Sequence, residues 1–365
     1  MKPFRLLILT PSALPAVTGN AMTAERWRRS LVGMGLDVRV LNTQGLDAGG
    51  LKREIVRFKP DLLHIHNAYR AGGFLLHRAL ADCLGRLPFV VSPSGTDMNV
   101  ESKLDPGKER VGRVLSRAEA IIVQSEEGRE RLQEIVPGRM DRVYFVPKSF
   151  VWLGEETLDL RASCGFSPGD LVFFMPAGIR PVKGNLECLL GFERIHALRS
   201  AAKVIFAGPP LDEAYAERFF REAERLRAFA RWIPSIHPAA MRAAYRSADV
   251  ILNGSASEGL SNVLIEARAA GKPLLASAIP GNRWPVLGDR GDLPMGLLFD
   301  LSDADDFVRQ SILLVDDAML RQKLGEAGAV YASRMPGPGD EARALVAVYE
   351  KAMGGSFAAG KQGTG

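Results

Sequence analysis

The chain has 365 residues, 47% hydrophobic and 24% charged, with 37 Gly and 22 Pro. That composition excludes disordered, collagen-like and coiled-coil chains. Single cores stop growing near ~250–300 residues, so two domains are expected. Lys and Arg number 47 against 42 Asp and Glu, a net charge of +5, which is too small an excess to demand a nucleic-acid partner. Three cysteines, Cys83, Cys164 and Cys188, are far apart and without zinc or redox spacing, which fits a reducing cytosol. The apolar run Leu6–Leu9 is short for a signal peptide, and no segment approaches the ~20 apolar residues of a spanning helix. A cytoplasmic protein is expected, with at most peripheral membrane contact.

In chain order, strands are predicted at Phe4–Leu9, Val38–Leu41, Leu62–Ile65, Phe89–Ser92, Ala120–Val123 and Val143–Val146. Between them, helices are predicted at Ala21–Leu36, Gly50–Phe58, Phe74–Leu84, Gly107–Arg117 and Glu126–Glu134. The alternation means βαβ units and a parallel sheet. After a Gly- and Pro-containing stretch the pattern restarts. Strands are predicted at Leu171–Pro176, Val204–Ala207, Val250–Asn253, Leu274–Ser277 and Leu297–Phe299. Helices are predicted at Glu187–Leu198, Tyr215–Phe229, Ala239–Ser247, Gly259–Ala270, Asp303–Val315 and Ala318–Arg334. A breaker-rich turn, Met335 to Gly339, precedes a last helix over Glu341–Met353. The expected organisation is an α/β chain with two doubly wound domains, residues 1–155 and 156–335. A terminal helix over 336–353 packs back on the first domain, and a disordered tail fills 354–365.

In open α/β sheets ligands bind beyond the carboxyl ends of the strands. The loops there contain no G-x-G-x-x-G and no G-x-x-x-x-G-K-[ST] pattern, which argues against a dinucleotide-dependent dehydrogenase and a P-loop NTPase. The informative stretch is Ser255-Ala-Ser-Glu258-Gly259-Leu260-Ser261-Asn-Val-Leu-Ile-Glu266-Ala. Gly259 is expected to open a helix whose first-turn amides suit a phosphate. Glu258 and Glu266, eight residues apart, are expected on a similar face, where carboxylates suit sugar and ribose hydroxyls. The spacing equally fits a capped helix with two solvated glutamates. A second piece, Gly178-Ile-Arg180-Pro-Val-Lys183-Gly184, puts two cations within reach of one diphosphate. It also fits an ordinary surface loop.

Together these pieces resemble the retaining nucleotide-sugar glycosyltransferases of family 4, with the GT-B fold of two Rossmann-like domains facing a cleft. Glu258 and Glu266 fill E-x7-E. Arg180, Lys183 and Gly184 fill G-x-R-x-x-K-G. Gly271-Lys-Pro-Leu-Leu-Ala-Ser and Tyr245-Arg-Ser-Ala-Asp249-Val fill the flanking segments. A narrower resemblance, to the glycosyltransferase 1 domain-containing subgroup, rests on Thr18-Gly19-Asn20 with Thr23 and Arg26, on Tyr69-Arg70-Ala-Gly72-Gly73, on Gly95-Thr96-Asp97-Met-Asn99, and on Ile279-Pro280-Gly281-Asn282.

The resemblance implies transfer of a hexosyl-type sugar from a nucleoside diphosphate sugar, with retention and without a metal or other cofactor. Arg180 and Lys183 would neutralise the diphosphate, and Glu258 would hold the donor sugar. Glu266 would bind the ribose, and amides near Leu260 and Ser261 would cap the distal phosphate. Gly19 and Asn20 would form a loop over the phosphates, with Gly178, Gly184 and Gly259 shaping the donor site.

Many family members carry a His where Ser94 stands. The candidates on the acceptor side are therefore Ser94, Asp97, Asn99 and His66. His64 and His66 are read as pointing to opposite faces of a strand, which excludes joint chelation. The other readings are a nucleotide-sugar epimerase or a non-catalytic nucleotide-sugar-binding paralogue. Residues 1–150 hold 23 Lys and Arg against 16 Asp and Glu, hence +7, while the remainder hold 24 against 26, hence −2. An acidic glycan or a lipid is the acceptor this suggests.

Overall fold

In the computed structural model the described residues are 4–85, 87–103, 105–289 and 292–359. They form two compact units. The first holds residues to Val151 together with those from Pro336 onward, and the second holds Trp152–Met335.

In the first unit six parallel strands are β1 (Arg5–Thr10), β2 (Asp37–Asn42), β3 (Leu62–His66), β4 (Phe89–Ser92), β5 (Ala120–Val123) and β6 (Val143–Phe145). Their order is β2-β1-β3-β4-β5-β6. Alternate residues serve two separate cores. Leu7 and Leu9 face one with Leu63 and Ile65, while Leu6 and Ile8 face the other with Trp27 and Leu31. Burial on both faces explains why the strands read as continuous apolar runs.

The second unit has β7 (Leu171–Pro176), β8 (Ala202–Ala207), β9 (Ala230–Ile233), β10 (Val250–Asn253), β11 (Leu274–Ser277) and β12 (Gly296–Phe299). The order β12-β11-β10-β7-β8-β9 is a doubly wound sheet that reverses direction between β7 and β10. The equivalent reversal in the first unit lies between β1 and β3.

Several elements differ from expectation. The helix expected over Phe74–Leu84 is two 3-10 turns, Gly72–Leu76 and Arg78–Leu80, followed by helix Ala81–Leu84. His77 is extended there and its ring accepts the Ala79 N–H, which interrupts the winding. Strand β9 was hidden in the sequence because it is a four-residue edge strand containing Arg231. Helix Pro280–Leu287 was also unforeseen. The last helix runs Pro338–Ala359, so the tail expected to be disordered from 354 is helical through 359. Residues 360–365 lie outside the described residues.

That last helix is bound into the first unit by an apolar stripe and one buried carboxylate. Ala342, Leu345, Val346, Tyr349 and Ala352 recur at helical spacing and join the core of Leu6, Ile8 and Trp27. Glu341, 1% exposed, accepts from Arg26 Nε (2.8 Å) and Nη2 (3.1 Å), Trp27 Nε1 (2.8 Å), Gln124 Nε2 (2.9 Å) and the Ser149 hydroxyl and amide. Burial pushes this carboxyl up, but the Arg26 charge and these donors outweigh it and hold it below the usual range.

Candidate functional site

In the second unit the two loops at the reversal point follow β7 and β10, and they carry the residues singled out in the sequence. The first loop leaves β7 through Gly178 and Ile179. Ile179 bonds back to the β8 side through Pro209 (2.8 Å) and Leu211 (3.0 Å). A β-carbon on Gly178 would press into Leu211. Arg180, half-buried, caps the 3-10 turn Pro181–Lys183, and its amide donates to Asn185 Oδ1 (3.2 Å). Gly184 follows with φ +66°, in the left-handed region. A β-carbon there would strike the Gly254 carbonyl, so this glycine lets the two loops touch. The Ala256 amide completes the contact by donating to the Val182 carbonyl (2.9 Å).

Across that contact the Lys183 ammonium donates to Glu258 Oε1 at 2.6 Å. The same oxygen accepts from the Ser255 hydroxyl (2.7 Å) and Asn253 Nδ2 (3.4 Å). Burial pushes the Glu258 carboxyl up; the Lys183 charge and the three donors prevail and hold it below its usual range.

Glu258 is not part of the helix that follows. The helix runs Asn262–Ala269, and Ser261, in extended conformation with its hydroxyl taken by Asn253 (2.9 Å), stands at its cap. Gly259 and Leu260 lie in the loop ahead of it, so the expected helical pairing of Glu258 with Glu266 is replaced by a loop carboxylate and a helix carboxylate. Beneath that loop, a β-carbon on Gly281 would strike the Glu258 and Gly259 carbonyls. Asn282 donates to Ser277 (3.0 and 3.2 Å), whose hydroxyl donates to the Ser255 carbonyl (2.5 Å). Two partners went unnoticed in the sequence, Asn253 beneath Glu258 and Tyr245 bonded to Glu266. Asn253 is the last residue of a buried strand, and a polar residue in that position was the available signal.

In the first unit, Gly19 and Asn20 form the first turn of helix Gly19–Gly33, after β1 and the cap Thr18. At the end of β3, Asn67 adopts φ +84° and ties two loops. Its Oδ1 accepts the Arg70 amide (2.6 Å), and its Nδ2 donates to the Ser94 hydroxyl (2.8 Å). Ser94 is the cap of the short helix Gly95–Asn99 in a capping box with Asp97. Asp97, expected at a ligand surface, is instead fully buried. One of its oxygens takes the Ser94 amide (2.7 Å) and hydroxyl (3.0 Å), the other the Ala68 amide. Asn99 stays half-buried at that helix's end.

His66 is also buried. It meets Trp27 edge-on (5.0 Å), while His64 stacks on the same indole (4.6 Å). The two histidines therefore share a face, as residues two apart in a strand must, and the opposite-face reading is wrong. His64 is held by the Tyr349 and Ser92 hydroxyls, each at 2.7 Å. Burial first, then the Lys148 and Arg26 charges, brings His66 down to about 3. Among the described residues no cluster of His, Cys, Asp or Glu could hold a metal, and no helix is long and apolar enough to cross a membrane.

Burial pushes Asp97 up to about 7 despite the donors around it. A carboxyl raised on folding contributes stability that is present below its usual range near 4 and is lost as the pH rises through about 7. Asp97→Asn does not titrate. It is therefore expected to cost more stability at pH 5 than at pH 8 in urea unfolding, and an equal cost at both would count against this environment.

A model of the glycosyl transferases group 1 matches residues 157–330, and a glycosyl transferase 4-like domain matches residues 20–148. The chain is a group 1 glycosyltransferase. This glycosyltransferase is 25% identical over 323 residues to Glycosyltransferase 1 domain-containing protein 1 of Xenopus tropicalis, covering 87% of this chain and 90% of that one. It is 23% identical over 362 residues to a D-inositol 3-phosphate glycosyltransferase of Corynebacterium kroppenstedtii, covering 88% and 78%. Among solved structures it resembles sucrose-phosphate synthase from Thermosynechococcus elongatus (TM-score 0.78, 16% identity, 96% of this chain and 100% of that one). It also resembles Anabaena HepE in complex with UDP-glucose (TM-score 0.75, 16% identity, 95% and 99%). At such identities these structures speak to the glycosyltransferase's fold, which is GT-B.

Proposed function

We propose that this glycosyltransferase moves a sugar from a UDP-linked donor to an acceptor, with retention of anomeric configuration. The observation that carries the reading is the Lys183–Glu258 ion pair at the β7/β10 reversal point, beside the left-handed Gly184. As the bond from the anomeric carbon to the diphosphate oxygen breaks, negative charge collects on the leaving nucleotide. Arg180 and Lys183 would neutralise it, aided by the loop amides at Gly259, Leu260 and Ser261 and by the helix that begins at Asn262. Glu258 would accept donor-sugar hydroxyls, and Glu266 those of the ribose. In the first unit Gly19 and Asn20 also stand at a helix N-terminus, which suits an anion. The uridine assignment is supported by the complex of a structural relative with UDP-glucose.

The excess positive charge on residues 1–150 supports an acceptor-side first domain whose substrate is an acidic glycan or a lipid at the cytoplasmic membrane face. Thermal-shift measurements against UDP-, GDP- and ADP-glucose test the donor. Stabilisation by the UDP sugar above the others is expected, since binding to the native state raises apparent stability. A response confined to GDP or ADP sugars would replace the base, and no response to any would sink the reading.

A further inference from the structure

Tyr245 joins the second unit's candidate site through Glu266, and none of the roles above uses it. It sits on helix Met241–Ser247, fully buried, and its hydroxyl donates to Glu266 Oε2 at 2.8 Å. Its ring is walled by Phe174 of β7 and by Trp152, the residue with which the chain enters the second unit, both at 5.8 Å between centroids. A phenol so enclosed keeps one orientation. A carboxylate offers about four acceptor positions on two oxygens. A donor fixed on one of them sets the plane of the group and therefore the direction in which its remaining lone pairs point. Burial, then the neighbouring Glu266 charge, pushes Tyr245 far above its ordinary range, so the phenol keeps its proton and stays a donor at physiological pH.

We propose that Tyr245 is a positioning residue for Glu266: its hydroxyl, braced by Trp152 and Phe174, aims the carboxylate at the ribose hydroxyls of the donor. This rests on Glu266 being the ribose ligand. Contact between Tyr245 and the donor forms no part of it. Selectivity for a ribonucleotide is thus built in two layers, a carboxylate that meets the sugar and a phenol that holds the carboxylate.

Tyr245→Phe removes the hydroxyl and leaves the ring. UDP and 2′,3′-dideoxy-UDP are titrated by calorimetry into the parent, Tyr245→Phe and Glu266→Ala. The parent is expected to prefer UDP, and Glu266→Ala to lose that preference. Tyr245→Phe is expected to bind UDP about tenfold more weakly, in line with a lost hydrogen bond to a charged group, while binding the dideoxy nucleotide as the parent does. Unchanged dideoxy binding also shows that the variant's site is folded. With a UDP-sugar as donor in a transfer assay, the loss should appear in the donor KM and leave kcat within about twofold. Equal weakening of both nucleotides by Tyr245→Phe would reduce Tyr245 to packing and overturn the proposal, as would unchanged binding of both. If Glu266→Ala keeps the full preference for UDP, the ribose role of Glu266 itself is wrong, a failure separate from the other two.

Discussion

Lys183→Ala is expected to lower turnover with a UDP-sugar donor by about 10²–10³-fold, the scale for removing one preorganised charge from a developing anion. The argument has two parts. The ammonium sits on a loop held by Gly184 and by the backbone contact to Ala256, so its position is set before any ligand arrives. It is also the principal charge holding Glu258 ionised. Without it, burial dominates and the Glu258 carboxyl moves upward. The acid limb of donor binding should then shift to higher pH, because protonation removes the acceptor from a carboxylate meant for hydroxyls. Steady-state kinetics from pH 5 to 8 would report both effects. Turnover within threefold of the parent, with an unmoved acid limb, would take Lys183 out of the chemistry.

Glu341→Ala should be the most damaging single change to stability, about 3–5 kcal/mol, because it strands a buried guanidinium. Arg26, Trp27, Gln124 and Ser149 all donate to this one group. Glu341→Gln keeps the shape but not the charge, so it should recover only part of the loss. Arg26→Met, which removes the cation and fills its volume, should make Glu341→Ala markedly less costly when combined with it. Urea unfolding of the four proteins gives the coupling directly. Additive losses would mean the two groups do not act as a pair.

Much of this molecule could be read from its residues. Strands buried on both faces read as unbroken apolar runs, so eleven of the twelve described strands were anticipated within about two residues of either end. Helix Ala318–Arg334 was anticipated to the residue. Edge strand β9 was not, because an edge needs no second apolar face and Arg231 broke the pattern. The boundary at Asn262 was missed because Gly259 looks like a helix opener, whereas Ser261 is held in extended form by Asn253, a tertiary contact with no local signature. The chemistry-bearing loop residues could be named from order and type alone. Their geometry could not. That Glu258 pairs with Lys183 across 75 positions, and that Asp97 is sealed inside a capping box, depend on how strands stack.

The first unit is not a continuous stretch of chain, since residues 152–335 interrupt it and Glu341 closes it. A ribosome finishes the second unit before it makes the residue that completes the first. Until then Arg26, Trp27 and Ser149 lack their common acceptor, and the core of Leu6 and Ile8 lacks the wall supplied by Leu345 and Tyr349. Domains fold as units during synthesis, so the unit begun first is the one completed last. Loss of the final helix therefore injures the opposite end of the sequence, and a prematurely terminated chain carries a finished second unit on an unfinished first one.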